Sequence, residues 1–145
     1  MKSSRSVVAM LLLACALGCS GRDILPTEAT PEFAIACSTP KPRIAASPTA
    51  LTRPSGARDM TTFVVQNNCS KRLSGWTLTS SRTDAVTSVN APSRGTLPPL
   101  DPGASVNVYV SYRVGSSGTG TVVLLATSAS GLTSFGYQTI TVAGS

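Results

Sequence analysis

The sequence predicts an all-β protein, an antiparallel two-sheet sandwich of about seven strands, and three observations carry that expectation. Apolar side chains alternate without a break over residues 104–114, where Val106, Val108, Val110, Tyr112 and Val114 share one face and Asn107, Tyr109, Ser111 and Arg113 the other. A period of two means a strand with one face in a core and one in water. Turn signals recur at short intervals: Asn67-Asn68, Ser74-Gly75, Pro98-Pro99, Asp101-Pro102-Gly103, Gly115-Ser116-Ser117-Gly118 and Ser130-Gly131. Finally, no stretch of about twelve residues repeats its apolar positions at helical spacing.

Taken in chain order, residues 48–51 are expected as an edge strand. Residues 60–66 follow (Thr-Thr-Phe-Val-Val), then 75–79 around Trp76 and Leu78, and 85–90 around Val86 and Val89. The alternating strand 104–114 is next, and 120–127 (Val-Val-Leu-Leu) and 135–142 (Tyr-Gln-Thr-Ile-Thr-Val) close the set. Glycines 115, 118 and 120 read as a hairpin loop and not as a phosphate cradle, since no helix follows them. The 145-residue chain has room for one domain of ordinary size, placed at 48–145.

What precedes that domain is a leader and a spacer. Lys2 and Arg5 give a positive start, and residues 7–17 form an apolar run that matches a secretory signal and is too short to span a bilayer. Residues 1–18 are therefore assigned to a signal peptide and 19–47 to a tether. Pro26, Pro31, Pro40 and Pro42 remove backbone donors and fix φ along it, so no regular strand is expected there.

Ala16-Leu17-Gly18-Cys19 resembles the lipobox of bacterial lipoproteins, and Leu12-Leu13-Ala14-Cys15 fits the same loose pattern earlier. The resemblance implies a diacylglyceryl-modified and N-acylated Cys19, with Cys15 the competing position and a plain cleaved leader the remaining alternative. Each buried methylene contributes about 0.8 kcal/mol, so several chains hold a small domain at a membrane. The same resemblance, in its Gram-negative form, implies the outer membrane, on its periplasmic or outer side, since Ser20 and not Asp follows the cysteine. If Cys15 leaves with the leader and Cys19 is lipidated, Cys37 and Cys69 remain as one pair in an oxidising compartment, and a disulfide is expected. Two thiols in a chain without histidine cannot fill a zinc shell, so no metal and no cofactor is expected.

Leu100-Asp101-Pro102-Gly103-Ala104-Ser105-Val106 and the alternating strand after it resemble a segment of bacterial immunoglobulin-like and fibronectin-like domains. That likeness implies a sandwich whose type II turn holds Pro102 and Gly103 and whose end is plugged by Leu100. Phe63-Val64-Val65-Gln66-Asn67 with Ser74-Gly75-Trp76-Thr77-Leu78-Thr79 is similar to β-sandwich cellulose- and chitin-binding modules. There such a Trp belongs to the core and other aromatics stack on sugar rings. Tyr109 and Tyr137 are the candidate ligand-binding residues on that reading.

Catalysis is not expected. A glycosidase needs two carboxylates across a cleft, and the domain offers Asp59, Asp84 and Asp101, of which Asp101 belongs to a turn and the others stand near Arg58 and Arg82 in sequence. No His activates a serine, and a Ser-Lys arrangement rests only on Lys41 or Lys71. Net charge divides unevenly. Arg22 against Asp23, Glu28 and Glu32 gives −2 for residues 20–36, while nine Lys or Arg against three Asp give +6 for 37–145. These cations are dispersed along the sequence without interleaved aromatics, which argues against nucleic acid and leaves envelope proteins or glycans as partners beside the membrane. The sequence thus describes a non-catalytic, lipid-anchored envelope protein with a binding or structural module, carbohydrate recognition being the alternative.

Overall fold

Inward and outward positions of the strands sort into two facing sheets. The computed structural model describes residues 36–143, in which there are eight strands and no helix. In chain order these are β1 (Pro42–Ala46), β2 (Ala50–Arg53), β3 (Arg58–Asn67), β4 (Trp76–Asp84), β5 (Val86–Val89), β6 (Ser105–Val114), β7 (Thr119–Ser128) and β8 (Thr133–Val142). One sheet has the order β1-β3-β6-β5 and the other β2-β8-β7-β4. The leader, Cys15, Cys19 and the first part of the tether lie outside the described residues.

The core forms where the two inner faces meet. From the first sheet come Phe63, Val65, Val108, Val110 and Val114, and from the second Trp76, Leu78, Val122, Leu124 and Ile140, all buried. Fully burying a side chain of this kind contributes about 1.5–3 kcal/mol relative to exposure. Leu100 closes one end opposite Leu73, the two backbones exchanging hydrogen bonds of 2.9 Å. The turn before β6 is as the sequence predicts: Gly103 has φ +78°, and the Ala104 amide donates to the Asp101 carbonyl at 3.0 Å.

Several expectations are corrected. Residues 42–46, given to the proline-rich tether, form β1, which pairs antiparallel with β3 and buries Ile44 and Ala46. Pro42 is the first residue of an edge strand, where a missing N–H costs no ladder hydrogen bond. The edge strand expected at 48–51 lies at Ala50–Arg53, and it runs parallel to β8, so the second sheet is mixed instead of wholly antiparallel. The Trp76 strand extends to Asp84 through a Ser- and Thr-rich stretch that periodicity of apolar residues cannot reveal. Glycines 115 and 118 do not belong to a hairpin, because β6 and β7 stand in different sheets. Asn67 ends β3 fully buried: its side-chain amide donates to the Lys71 and Leu100 carbonyls at 2.9 Å each and its oxygen accepts the Cys69 amide at 3.0 Å.

Two glycines mark places where backbones crowd. At Asp84 and Ala85 the chain leaves the second sheet for the first, with Asp84 at φ +47°. A Cβ on Gly120 beneath this crossing would come within 2.7 Å of the Ala85 and Val86 nitrogens. On β8, a Cβ on Gly136 would lie 2.6 Å from Ile44 Cγ2 and 2.7 Å from the Ile44 carbonyl oxygen, where the two sheets close on each other.

Polar groups also bridge the sheets. Thr61 donates through its hydroxyl to the Gln138 side-chain oxygen, and the Gln138 amide donates to the Pro48 carbonyl at 2.6 Å. At the same end of the sandwich Arg53 of β2 pairs with Asp59 of β3; Arg58, the cation that neighbours Asp59 in sequence, points to the other face. Burial opposes the Asp59 charge, but the Met60 amide and the Arg53 guanidinium outweigh it and hold the carboxyl below its usual range. Stability from this group is complete above the unfolded carboxyl value of about 3.9 and is lost as pH falls through the lower folded value. Both side chains are about one-third exposed, 31% and 33%, which limits the pair to about 1 kcal/mol. Thermal unfolding followed from pH 6 to pH 2 should therefore show a smaller acid loss in Asp59→Asn than in the native chain. An unchanged acid slope in the variant refutes the assignment.

Candidate functional site

The two tyrosines singled out by the sequence do not meet. Tyr109 lies on β6 on the outer face of the first sheet, opposite Thr62, and Tyr137 lies on β8 on the outer face of the second sheet, opposite Val123. Both are exposed, 39% and 57%, yet the whole core separates them, so a single platform built on this pair is ruled out. Trp76 is in the core as expected, 2% exposed.

Tyr137 has another aromatic neighbour that the sequence reading passed over. Phe135 precedes it by two residues on β8, so both rings project from the same face, and at 63% Phe135 is the most exposed large apolar side chain among the described residues. Cross-strand pairing sets Val123 against Tyr137 and Leu125 against Phe135, giving an apolar block of four side chains in the middle of the sheet. Aromatic and β-branched neighbours across strands support one another by about 0.2–1 kcal/mol per pair. The signal was present in the sequence: Phe135 and Tyr137 alternate with buried Gly136 and Gln138. The strand expected at 135–142 begins at Phe135, and its parity puts Phe135 and Tyr137 on one face.

Around this block the outer face is hydroxylated. Thr79 and Ser81 on β4 stand beside Leu125 and Val123, and Thr121 lies between Thr83 and Thr139. The Thr83 and Thr121 hydroxyls are 2.7 Å apart, and the Thr119 and Thr141 hydroxyls 3.4 Å. No strand position on this face carries Lys, Arg, Asp or Glu. The opposite outer face carries Arg43, Arg58 and Arg113. The chain thus presents one neutral aromatic face and one basic face.

Cys37 and Cys69 are joined in a disulfide with their Cα atoms 5.6 Å apart, within the range a bridge permits. Cys19 lies outside the described residues. Asp101 pairs with Arg72 at 3.4 Å on the surface. Among the described residues no three His, Cys, Asp or Glu side chains gather as a metal site.

No protein-family model and no curated protein matches the chain. Among solved structures, the chain is similar to the secreted serine protease VesC from Vibrio cholerae, with a TM-score of 0.51 and 15% identity over 64% of this chain. The match spans 21% of that protein's length, and it speaks to the sandwich fold alone. Matches also include a PapD-like domain of human CEP192 (TM-score 0.44, 11% identity, 77% of this chain and 94% of that one). Another is SSP-19, an MSP-domain-protein-like family member in Caenorhabditis elegans (TM-score 0.41, 16% identity, 68% and 99%).

Proposed function

We propose that this chain is a non-catalytic, lipid-anchored cell-envelope protein whose sandwich binds neutral polysaccharide on the outer face of the β2-β8-β7-β4 sheet. The observation that carries the reading is the pairing of exposed Phe135 and Tyr137 on a sheet face without a single charged strand residue. Aromatic rings offer a flat apolar surface with a polar rim at the tyrosine hydroxyl, and exposed apolar blocks of this kind mark interaction sites. The surrounding Thr and Ser hydroxyls donate and accept hydrogen bonds, the chemistry a saccharide presents in return. A charged ligand finds no counter-ion there. Anchoring at Cys19 rests on the lipobox-like residues and places the module at the outer membrane.

The purified full chain is expected to be retained on at least one of cellulose, chitin, xylan and starch. Retention should fall about tenfold or more in Phe135→Ala and in Tyr137→Ala, taking as scale the roughly 1–3 kcal/mol that an aromatic side chain contributes by stacking on a nucleobase, and should persist in Tyr109→Ala. Absence of retention on all four polymers, or retention indifferent to both β8 substitutions, overturns the proposal. The anchor is checked separately: labelled palmitate should enter the chain and should not enter Cys19→Ser.

A further inference from the structure

The basic face holds a feature that the polysaccharide reading does not use. Across β3 and β6 the register sets Arg58 directly opposite Arg113, and across β6 and β5 it sets Ser88 beside Arg113. Like charges facing each other on a sheet are unfavourable, and neither arginine has an ion-pair partner among the described residues. The next row holds Met60 opposite Ser111, with Asn90 following on from β5, its amide bonded to the Ser111 carbonyl at 2.9 Å. Small serines between longer arginines and Met60 leave a groove of about 620 Å³. Asp59 also lines it, but that carboxylate is already engaged by Arg53 and by the Met60 amide.

A groove of this composition offers donors. Two guanidinium forks suit a tetrahedral oxyanion, each able to place two N–H groups on its oxygens. The Ser88 and Ser111 hydroxyls and the Asn90 side-chain NH2, distinct from the backbone N–H that already donates to Ser111, add neutral donors along the lining. An oxyanion also removes the repulsion between the two arginines, so its binding is coupled to relief of an unfavourable contact. The volume far exceeds that of a bare anion, and Met60, 52% exposed, gives an apolar wall beside the charges. Both features fit an anion carried on a sugar ring.

We propose that this groove is a binding site for the phosphate or sulfate group of an anionic saccharide, held by Arg58 and Arg113, on the face opposite Phe135 and Tyr137. The site is independent of the neutral-polysaccharide surface, and the two fail or hold separately. The test is an NMR titration of the purified full chain with glucose 1-phosphate, glucosamine 6-sulfate and unsubstituted glucose at low salt. Amides of residues 58–60, 88–90 and 111–113 should shift with the two esters and remain still with glucose.

Arg58→Gln and Arg113→Gln should each weaken the esters about tenfold, the scale of one charge-assisted hydrogen-bonding partner, and Phe135→Ala should leave them unchanged. Preference between the two esters identifies the anion. Three results overturn the proposal: shifts scattered over Lys41, Lys71 and Arg94 instead of the groove, affinity unchanged in the double variant, or vesicles of phosphatidylglycerol binding at these residues while the sugar esters do not.

Discussion

Replacing Gly136 by valine is expected to destabilise the protein by about 3–4 kcal/mol. The reason lies in how edge strand β1 of one sheet closes on inner strand β8 of the other. A Cβ at this position meets Ile44 Cγ2 at 2.6 Å and the Ile44 carbonyl oxygen at 2.7 Å, and the second of these is backbone, which cannot rotate aside. Either β8 moves outward, breaking its ladder with β7, or β1 is pushed from the sandwich and Ile44 and Ala46 lose their burial. Gly136→Ala carries the same backbone clash with less bulk and should cost less. Ile44→Ala in the Gly136→Val background removes the Cγ2 contact but leaves the carbonyl, so rescue should be partial and the two substitutions non-additive. Gly95→Val is the control, since nothing lies within 4 Å of a Cβ there. Urea unfolding of these four variants and of Ile44→Ala alone gives the free energies directly. Equal stability of Gly136→Val and Gly95→Val would exclude a tight approach of β1 to β8.

The strands that could be read from the sequence were those whose apolar residues alternate. β6 declares itself because Val108, Val110, Tyr112 and Val114 are inward and every intervening residue is polar or outward. β3 follows the same rule through Phe63 and Val65, whereas β8 alternates with its aromatics outward, Phe135 and Tyr137 flanking buried Gly136 and Gln138, and turns its apolar side chains inward only at Ile140 and Val142. β1 is masked because Pro40 and Pro42 signal a spacer, although Ile44 and Ala46 show the alternation in miniature. The second half of β4 was hidden for a different reason: Ser80 to Asp84 contains no apolar residue, and its strand state comes from pairing with β7. Parallel pairing of β2 with β8 is a property of how the chain crosses between sheets, and no local pattern encodes it.

The candidate surfaces divide in the same way. Parity along a strand placed Tyr109 and Tyr137 outward, as found, but said nothing about which sheet each strand joins. Only the sheet order shows them on opposite faces. The neutral face and the Arg58–Arg113 juxtaposition are likewise invisible in sequence, because both depend on cross-strand register between residues as far apart as β3 and β6. Even ion pairing followed space instead of sequence. Asp59 takes Arg53 from the other sheet and leaves adjacent Arg58 to the outer surface.

Loss of the disulfide should have the other large effect. Cys37 and Cys69 are separated by 32 positions, and closing a loop of that size removes denatured-state entropy worth nearly 4 kcal/mol in the chain-entropy model, before any native strain is subtracted. For a domain of this size that approaches the lower half of the usual total stability. The effect should also have a location. Cys37 precedes β1 by a few residues, and Cys69 sits beside Asn67, whose buried side chain holds the loop running from Cys69 to Lys71. Cutting the bridge therefore frees the end of the chain that feeds β1, an edge strand whose ladder hydrogen bonds run to β3 alone.

In Cys37→Ser/Cys69→Ser, the midpoint of urea unfolding should fall by an amount corresponding to about 3–4 kcal/mol. Amide exchange at Ile44 and Ala46 should accelerate more than at Val108 and Val122, since local opening of β1 precedes global unfolding. Uniform acceleration across all strands would place the contribution of the bridge wholly in the unfolded chain, and an unchanged midpoint would refute the entropic estimate itself.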